Sequence, residues 1–317
     1  MQLRVIHAEA LTPSIRLLRL ARVDHEPLPA FSPGAHVEVQ VPLGDGDVLR
    51  KYSLVSDGDV RSHCEIAVKR ATNGGGGSAF LHDVLAVGDT LEVSEPIHAF
   101  DLAPQGTHHV LVAGGIGITP MLGMASRLKE SGASYELHYT GASAGDMAFR
   151  ESLLQQHDAR MQLYVTRGDD ARRLDVDALL ARHAGDGDTH LYVCGPGSLI
   201  DAVRLRGEAR GIGRRRIHFE SFGPAWGPTD GTVRLVMSES GIELDVAPGT
   251  TLLDAMEAAG AWIPSDCKRG ECGACIASYS GGRPLHRDHC LTEAQREHSM
   301  CPCVSWASPD EVLTLQL

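Results

Sequence analysis

A short cysteine-rich loop constrains this chain more than any other stretch of its sequence. The segment CKRGECGAC places Cys267, Cys272 and Cys275 in a Cys-x4-Cys-x2-Cys pattern. This is the spacing of a plant-type [2Fe–2S] site, in which three thiolates come from one loop. Gly270 and Gly273 lack a Cβ, so their backbone can approach the inorganic sulfides closely. The spacing therefore predicts an iron–sulfur cluster and a domain folded around it.

The fourth thiolate has to come from elsewhere in the chain. Three cysteines follow the loop, namely Cys290, Cys301 and Cys303. Zinc is an alternative occupant of such a loop, but zinc sites favour paired Cys-x2-Cys knuckles. A disulfide framework is a weaker alternative for a chain of this length. Because a [2Fe–2S] cluster carries one electron at a time, another part of the chain must supply its electrons.

Length and charge limit the function classes. The 317 residues suggest two or three domains, and the formal net charge of −12 argues against a nucleic-acid partner. No apolar run reaches the ~18 residues of a membrane span. The first residues, MQLRVIHAEA, lack the hydrophobic region of a signal peptide, and the eight cysteines fit a reducing compartment. We therefore expect a cytoplasmic protein without a membrane partner. The sixteen histidines show no ligand spacing, so we expect scattered surface or core residues.

Short strand-like runs alternate with turn signals through the first hundred residues. Their spacing, about 8–12 residues, predicts an all-β barrel or sandwich. The predicted strands are Ile15–Leu20, His36–Val41, Val48–Leu54, Glu65–Lys69 and Thr90–Val93.

The segment Arg50-Lys51-Tyr52-Ser53 has the side chains of a ligand-binding strand. Arginine suits a phosphate, tyrosine suits a flat ring, and a hydroxyl suits a ring nitrogen. Taken alone, these residues also fit an ordinary edge strand.

A glycine run follows soon after the strand that contains Val68 and Lys69. It reads Asn73-Gly-Gly-Gly-Gly-Ser78 and leads into a predicted helix start with Ser78 as the N-cap. Bare backbone N–H groups at a helix start can bind an anion. The alternative is a flexible glycine linker.

The middle of the chain alternates strands and helices. The run His109–Ala113 is followed by Gly-Gly-Ile-Gly-Ile-Thr119-Pro120 and a predicted helix Met121–Glu130. This is not a Gly-x-Gly-x-x-Gly fingerprint, but the same physics applies, because glycines and a helix start can face a pyrophosphate. Further strands at 135–139, 162–166 and 190–193 indicate a parallel sheet.

The last of those strands runs into Cys194-Gly-Pro. Ligands of open α/β sheets bind at the carboxyl ends of the strands. Cys194 would lie at that edge, although a lone cysteine with apolar neighbours is usually a core residue.

The remaining third of the chain begins with a segment rich in glycine and proline, which predicts a linker. We then expect a hairpin, a helix, the cluster loop and returning strands. The predicted elements are the strands Val233–Met237 and Ile242–Val246, the helix Thr251–Ala259, the strand Ile276–Tyr279, the helix Glu293–Glu297 and the strand Val312–Leu317.

The Arg-x-Tyr-Ser strand and the Gly-Gly-Ser loop resemble the flavin barrel of the ferredoxin–NADP reductase superfamily. The chain is most similar to the phthalate dioxygenase reductase branch, which includes vanillate O-demethylase reductases and has a ferredoxin fused at the C-terminus. The resemblance covers essentially the whole chain. It implies a multidomain α+β fold with an antiparallel flavin-binding β-barrel (1–104), an α/β parallel-sheet nucleotide-binding domain (105–224), a linker (225–231) and a β-grasp [2Fe–2S] ferredoxin domain (232–317).

The resemblance also implies roles for single residues. It places the FMN phosphate at Arg50, Gly77 and Ser78 and the flavin ring at Tyr52. Ser53, Thr119 and Cys194 are the expected catalytic positions, between flavin and nicotinamide. The full set of expected cofactor-binding residues is Arg50, Tyr52, Ser53, Val68, Lys69, Gly76, Gly77, Ser78, Gly115, Gly117, Thr119, Gly195, Pro196 and Phe222.

The resemblance selects the fourth cluster ligand, because the family places it directly before a Val-Ser pair. Cys303-Val304-Ser305 fits that pattern, which makes Cys267, Cys272, Cys275 and Cys303 the expected metal ligands. Cys301 is the rival to Cys303.

The implied function is electron transfer from NADH to FMN, then to the [2Fe–2S] cluster, then to a Rieske-type terminal oxygenase that acts on an aromatic acid. Arg167 could bind the 2′-phosphate of NADPH, so NADPH is an alternative electron donor. Asp266, Glu271 and Asp288 are candidates for an acidic docking surface. The alternatives are a reductase for a cytochrome P450 or another acceptor, and a redox sensor that does not turn over.

Overall fold

The structure, a computed structural model, describes residues 1–44, 46–56, 58–71, 76–223, 227, 229–309 and 311–317. These residues form two units. The first consists of residues 1–71 and 76–220, and the second consists of residues 221–317. The first unit contains an antiparallel sheet and a parallel sheet, and the second contains a mixed sheet.

Six strands form the antiparallel sheet of the first unit, in the order β4-β3-β6-β1-β2-β5. A bridge between Leu54 and Ile66 joins the end of β4 to β5, so the sheet closes on itself as a barrel. The strands are β1 (Gln2–Thr12), β2 (Ile15–Arg22), β3 (His36–Leu43), β4 (Gly46–Ser53), β5 (Cys64–Lys69) and β6 (Thr90–Val93).

Alternation of apolar residues explains the barrel. Val37, Val39 and Val41 of β3 have no exposed surface, and they pack with Leu3 and Val5 of β1 in one core. Successive side chains of a strand point to opposite faces, so this period of two puts one face of each strand inside.

Five parallel strands form the second sheet of this unit, in the order β11-β10-β7-β8-β9. They are β7 (His108–Gly114), β8 (Ser134–Gly141), β9 (Met161–Val165), β10 (Thr189–Cys194) and β11 (Ile217–Glu220). Val110, Leu111, Val112 and Ala113 of β7 have no exposed surface, because both faces of a parallel sheet are covered by helices.

The helices of the first unit begin with α1 (Gly77–Ala79), which continues as a π-helical turn (Phe80–Val84). The others are α2 (Ile118–Glu130), α3 (Arg150–His157), α4 (Val176–His183) and α5 (Gly197–Ala209). No helix in the described ranges is both long and apolar enough to span a membrane.

The second unit has a five-stranded sheet in the order β13-β12-β18-β14-β16 and a separate pair β15-β17. Its strands are β12 (Val233–Met237), β13 (Ile242–Val246), β14 (Ala277–Gly281), β15 (Pro284–Leu285), β16 (Ser299–Met300), β17 (Trp306–Ala307) and β18 (Leu313–Leu315), and its helices are α6 (Leu252–Ala258) and α7 (Glu293–Arg296). Thr251 caps α6 by accepting a hydrogen bond from the Asp254 N–H.

The predicted fold class is confirmed, with its antiparallel barrel, parallel nucleotide sheet and C-terminal ferredoxin domain. The predicted N-cap at Ser78 is wrong. Gly76, with a φ of 77°, is the N-cap, and Ser78 lies inside α1, where its hydroxyl accepts a hydrogen bond from the Ala71 N–H. A left-handed backbone favours glycine, which explains the shift. Residues 72–75, which include the first two glycines of the run, and residues 225, 226 and 228 of the predicted linker lie outside the described residues.

Candidate functional site

The start of α1 packs directly against β4. A Cβ on Gly77 would lie 3.1 Å from Arg50 Cγ and 3.2 Å from Arg50 Nε, so the start of α1 lies against the Arg50 side chain. The guanidinium of Arg16 donates to the carbonyls of Leu81, His82 and Leu85 and so anchors the segment after α1. Arg50 and the N–H groups of α1 therefore lie together, as an anion-binding group requires.

The other predicted flavin-site residues near Arg50 differ in burial. Val68 has no exposed surface and packs in the core, whereas Lys69 is exposed at the end of β5. Tyr52 packs against the barrel core with its ring partly buried. Burial raises the pKa of Tyr52 to about 12 although the Arg50 charge opposes this, so the phenol stays neutral near neutral pH.

The end of β4 meets the end of β11 inside the first unit. The Ser53 hydroxyl donates to Glu220 Oε2 at 3.4 Å, and both residues are buried, at 5% and 2% exposure. Glu220 pairs with Cys194 in the register of β10 and β11. Sequence reasoning missed Glu220, because its position opposite Ser53 depends on the packing of the barrel against the parallel sheet.

Two glycine turns pack face to face at the carboxyl edge of the parallel sheet. A Cβ on Gly117 would lie 2.2 Å from the Cys194 carbonyl oxygen, and one on Gly195 would lie 2.9 Å from the Gly114 backbone. Pro196 would be 2.6 Å from a Cβ on Gly114. The Gly-Gly-Ile-Gly turn and the Cys-Gly-Pro turn thus form one surface, at the edge where open α/β sheets bind ligands.

The remaining predicted cofactor-binding positions are Gly115, Thr119 and Arg167 in the first unit and Phe222 in the second unit. Gly115 has a φ of 56°, which the turn before α2 requires. The Thr119 hydroxyl donates to the Ile116 carbonyl at 3.0 Å, and Thr119 and Cys194 are both buried. Arg167 is exposed beyond β9. Phe222 belongs to the second unit, where it is 45% exposed.

The cluster loop of the second unit folds so that backbone N–H groups point at its own sulfurs. The Arg269 N–H donates to Cys267 Sγ at 3.3 Å, and the Ala274 N–H donates to Cys272 Sγ at 3.4 Å. Gly270 and Gly273 both have a φ of 74°. This is the backbone arrangement that stabilises thiolates around a metal centre.

Two thiols from the C-terminal segment approach Cys275. Hydrogen bonds with Cys301 and Cys303 lower the pKa of the Cys275 thiol, and they raise the pKa of both partners. Cys303 also accepts from the Gly270 N–H and lies in the field of Cys267. Besides Cys275, Cys301 contacts Cys290, at a sulfur–sulfur distance of 3.5 Å. Of the two, Cys303 is the thiol that faces both the loop backbone and the loop cysteines.

The segment before α7 supports the cluster loop from behind. The His289 N–H donates to the Gly270 carbonyl at 2.8 Å, and a Cβ on Gly270 would lie 3.0 Å from Asp288 Cα. Asp288 is 1% exposed and pairs with Arg296 at 3.3 Å. Asp288 is therefore a buried support and not part of an acidic surface, which corrects that expectation.

Three domain families match the chain in the order of these sites. They are described as "Oxidoreductase FAD-binding domain" (residues 2–102), "Oxidoreductase NAD-binding domain" (111–205) and "2Fe-2S iron-sulfur cluster binding domain" (236–308). The predicted oxidoreductase class is confirmed, as is the set of a flavin, a pyridine nucleotide and a [2Fe–2S] cluster.

Relatives match along almost the whole length. The heme-dependent oxidative N-demethylase beta subunit of Ectopseudomonas mendocina is 39% identical over 307 residues, 96% of this chain and 95% of the relative. The vanillate O-demethylase oxidoreductase of a Pseudomonas species is 37% identical and covers 92% of each chain. The solved structure of phthalate dioxygenase reductase, described as modular for electron transfer from pyridine nucleotides to [2Fe–2S], is 32% identical, with a TM-score of 0.78 and coverage of 100% of this chain and 98% of its own.

These relatives belong to oxygenase and demethylase systems, which confirms the predicted class of function, a reductase of an oxygenase system. With a flavin barrel, a nucleotide sheet and a cluster domain in the same order and at full length, the chain belongs to the phthalate dioxygenase reductase family of oxidoreductases.

Proposed function

We propose that this protein is the reductase component of a two-component Rieske-type oxygenase that hydroxylates or demethylates an aromatic acid, with NADH as the donor and FMN as the flavin. The observation that carries the proposal is the meeting of Ser53, Glu220 and Cys194 between the barrel and the carboxyl edge of the parallel sheet. A dinucleotide bound at that edge and a flavin bound at β4 would face each other across these residues.

The proposed flavin is FMN because Arg50 and the N–H groups of α1 suit a terminal phosphate. The ring is proposed to lie at Tyr52, with the Ser53 hydroxyl near its edge. Val68, Lys69, Gly76 and Ser78 would contribute mainly through their backbone. Phe222 keeps its proposed role of covering the flavin.

The nucleotide is proposed to bind along the Gly114–Gly117 turn and the Gly195-Pro196 turn. When bound, the flavin would take the electron pair of the nicotinamide and release electrons singly to the cluster. The protein's part is to hold both rings in register and keep water out. Buried Thr119, Cys194 and Glu220 suit that role, since none of them has to form a covalent bond.

The proposed cluster ligands are Cys267, Cys272, Cys275 and Cys303. Both Cys301 and Cys303 contact Cys275, and support for Cys303 is its additional contact with the Gly270 N–H of the cluster loop, whereas the additional contact of Cys301 is with Cys290. The domain boundaries proposed from the sequence, at 104/105, 224/225 and 231/232, agree in order with the three domain families. A cytoplasmic location is proposed, since NADH is supplied there.

A Rieske centre is the favoured acceptor on energetic grounds. A plant-type cluster has a potential of about −400 mV, and Rieske centres lie at roughly −150 mV or above. Electrons therefore run downhill from this ferredoxin domain to such a centre.

The proposed docking surface for the oxygenase is centred on Trp262, which is 84% exposed and closely precedes Cys267 in sequence. Asp266, four positions after Trp262, is also exposed, whereas the nearby acids Asp254 and Glu257 are paired with Lys268. The proposed surface has Trp262 at its apolar centre and Asp266 at its acidic rim. It fits a partner with an apolar pocket and basic rim, which would be held at the centre by the tryptophan and steered by charge. Trp262→Ala should raise the KM for the oxygenase while leaving ferricyanide reduction unchanged.

A heme acceptor is the second candidate. It is favoured by the 39% identity to the beta subunit of a heme-dependent N-demethylase. Purified reductase, NADH and either a Rieske oxygenase or a heme oxygenase separate the two candidates, because only the cognate partner should be reduced rapidly at low salt. Failure of NADH to reduce any artificial acceptor would overturn both.

A further inference from the structure

Four polar side chains that the cofactor sites do not use converge on one face of the parallel sheet, under α4. Glu136 and His138 lie on the same face of β8, His108 begins β7, and His183 ends α4. The His183 Nε2 to Glu136 Oε1 distance is 2.7 Å, and the His138 Nε2 to Glu136 Oε2 distance is 3.1 Å. His108 Nε2 lies 3.9 Å from Glu136 Oε1.

The hydrogen bonds around His138 determine which of its nitrogens carries a proton. The Tyr164 hydroxyl donates its only proton to Gln162 Oε1 at 2.9 Å. The Tyr164 oxygen must then accept from His138 Nδ1, which lies 2.9 Å away. In the neutral ring this leaves a lone pair on Nε2, which faces the Glu136 carboxylate.

That Nε2 atom is an unsatisfied buried group. His138 is 1% exposed, and its Nε2 makes no hydrogen bond to any part of the chain that the structure describes. A nitrogen lone pair and a carboxylate oxygen that face each other at 3.1 Å repel unless a proton or a metal ion lies between them.

His108 has the same arrangement. Its Nδ1 lies 2.8 Å from the Ser134 hydroxyl, so its Nε2 is turned toward Glu136. A ligating histidine in proteins typically has its second nitrogen hydrogen-bonded in this way, which fixes the ring and its tautomer.

We infer that His108, Glu136 and His183, with His138 as a further ligand, form a binding site for a divalent transition metal, most suitably Zn²⁺. One ligand atom from each of His108, Glu136 and His183 lies within 4.8 Å of the others. Tetrahedral zinc with bonds of about 2.0–2.1 Å needs ligand atoms roughly 3.3 Å apart, so small side-chain rotations complete the site. Imidazole and carboxylate donors suit zinc better than calcium or magnesium.

The charges at the site suit a cation. The Glu136 carboxylate supplies a negative charge among three imidazole rings, and a neutral imidazole offers a lone pair to a metal ion. Arg182, which is half-exposed, contacts Glu136 Oε2 at 3.1 Å and would remain on the outer side of the carboxylate.

The position of the site indicates a structural role. His108 is the first residue of β7, whereas the nucleotide edge of the sheet is at the opposite end, near Gly114. A metal here would tie β7 and β8 to the end of α4 without touching the electron path. Metal binding should therefore stabilise the first unit and leave catalysis unchanged.

The experiment uses the holoenzyme, dialysed against EDTA, loaded with ZnCl₂ and desalted, with zinc and iron measured together by mass spectrometry. We expect about one zinc per chain in the wild type with iron retained. His183→Ala and Glu136→Gln should weaken zinc binding roughly tenfold or more in a competition titration with a chelator. Arg182→Gln, the adjacent position on α4, should retain zinc.

Zinc should also raise the Tm of the wild type but not that of His183→Ala, while NADH–ferricyanide activity is the same in both. His108→Ala provides a second ligand variant if His183→Ala does not fold. The inference is overturned if the wild type retains no zinc, if the ligand variants retain as much zinc as the wild type, or if zinc rises only as iron is lost, since the cysteines would then be its ligands. None of these results depends on which oxygenase is the partner.

Discussion

The Ser53 hydroxyl donates a hydrogen bond to Glu220 Oε2 at 3.4 Å, which joins the end of β4 to the end of β11. Both side chains are buried, so the contact is shielded from water. It lies next to Cys194, at the carboxyl edge of the parallel sheet, where open α/β sheets bind ligands. The pair therefore joins the end of β4, where we propose the flavin, to the edge where we propose the nucleotide.

Ser53→Ala should lower the rate of NADH-dependent ferricyanide reduction about tenfold, because losing a hydrogen bond to a carboxylate costs about 1.5 kcal/mol or more. Glu220→Gln should have a smaller effect, since an amide oxygen can still accept. Stopped-flow reduction of the flavin by NADH is the measurement. Ser62→Ala, an exposed serine of the same unit, is the control. Equal rates in Ser53→Ala and the wild type would show that the pair has no role in the transfer.

Local patterns predicted most of the fold. The strands Val233–Met237 and Ile242–Val246 were predicted with their observed bounds, because alternation and a turn signal define a hairpin locally. The first strand, Gln2–Thr12, was missed, since its outward residues are mostly polar and its pairing with β6 is distant in sequence.

The site was less predictable than the fold. The cluster loop could be found because its ligands are close in sequence. Ser53 and Glu220 are separated by 167 positions, and no local pattern links them. The histidines were expected to be scattered, yet His108 and His183 meet at Glu136, because β7, β8 and α4 pack together. Such groups arise only from tertiary structure.

Denatured protein should release FMN, and Arg50→Ala should weaken FMN binding roughly tenfold to a hundredfold, because it removes the guanidinium that we propose binds the phosphate through a charge-assisted hydrogen bond. Chromatography of the released flavin and a fluorescence titration of the apoprotein are the measurements. Arg61→Ala is a control, since that side chain donates to the Leu28 carbonyl on another part of the barrel. Release of mainly FAD would contradict the proposed phosphate site.

Cys303→Ser should abolish the visible absorption of the cluster, because a hydroxyl is a poor substitute for the thiolate that faces Cys275 and the Gly270 N–H. Cys301→Ser and Cys290→Ser should keep it. Flavin-dependent NADH oxidation should survive all three changes, which separates loss of the cluster from loss of the fold. Loss of the cluster in Cys301→Ser with retention in Cys303→Ser would reverse the assignment.

Acid should destabilise the parallel sheet through His218. Burial, together with His190 and His109, lowers the pKa of His218 to about 4. Between about pH 6.5 and pH 4 the unfolded chain therefore binds a proton that the folded chain does not, so stability falls as the pH falls through this window. The loss should be about 2 kcal/mol, after allowance for partial exposure to solvent.

Hydrogen exchange of β10 and β11, corrected for intrinsic rates, measures this effect directly. His218→Gln should lose less protection than the wild type on acidification, whereas His7→Gln, at a side chain that is 46% exposed, should behave as the wild type does. An acid response in His218→Gln equal to that of the wild type would assign the effect to other groups.

The most direct test of the proposed function is product formation by the complete system. The reductase, NADH, the oxygenase encoded beside its gene and candidate aromatic acids are combined, and oxygen uptake and product are followed over a salt series. We predict that product formation requires both proteins. It should decline as salt screens the acidic rim of the surface centred on Trp262. Efficient coupling to a heme oxygenase alone, with no Rieske oxygenase accepting electrons, would contradict the account.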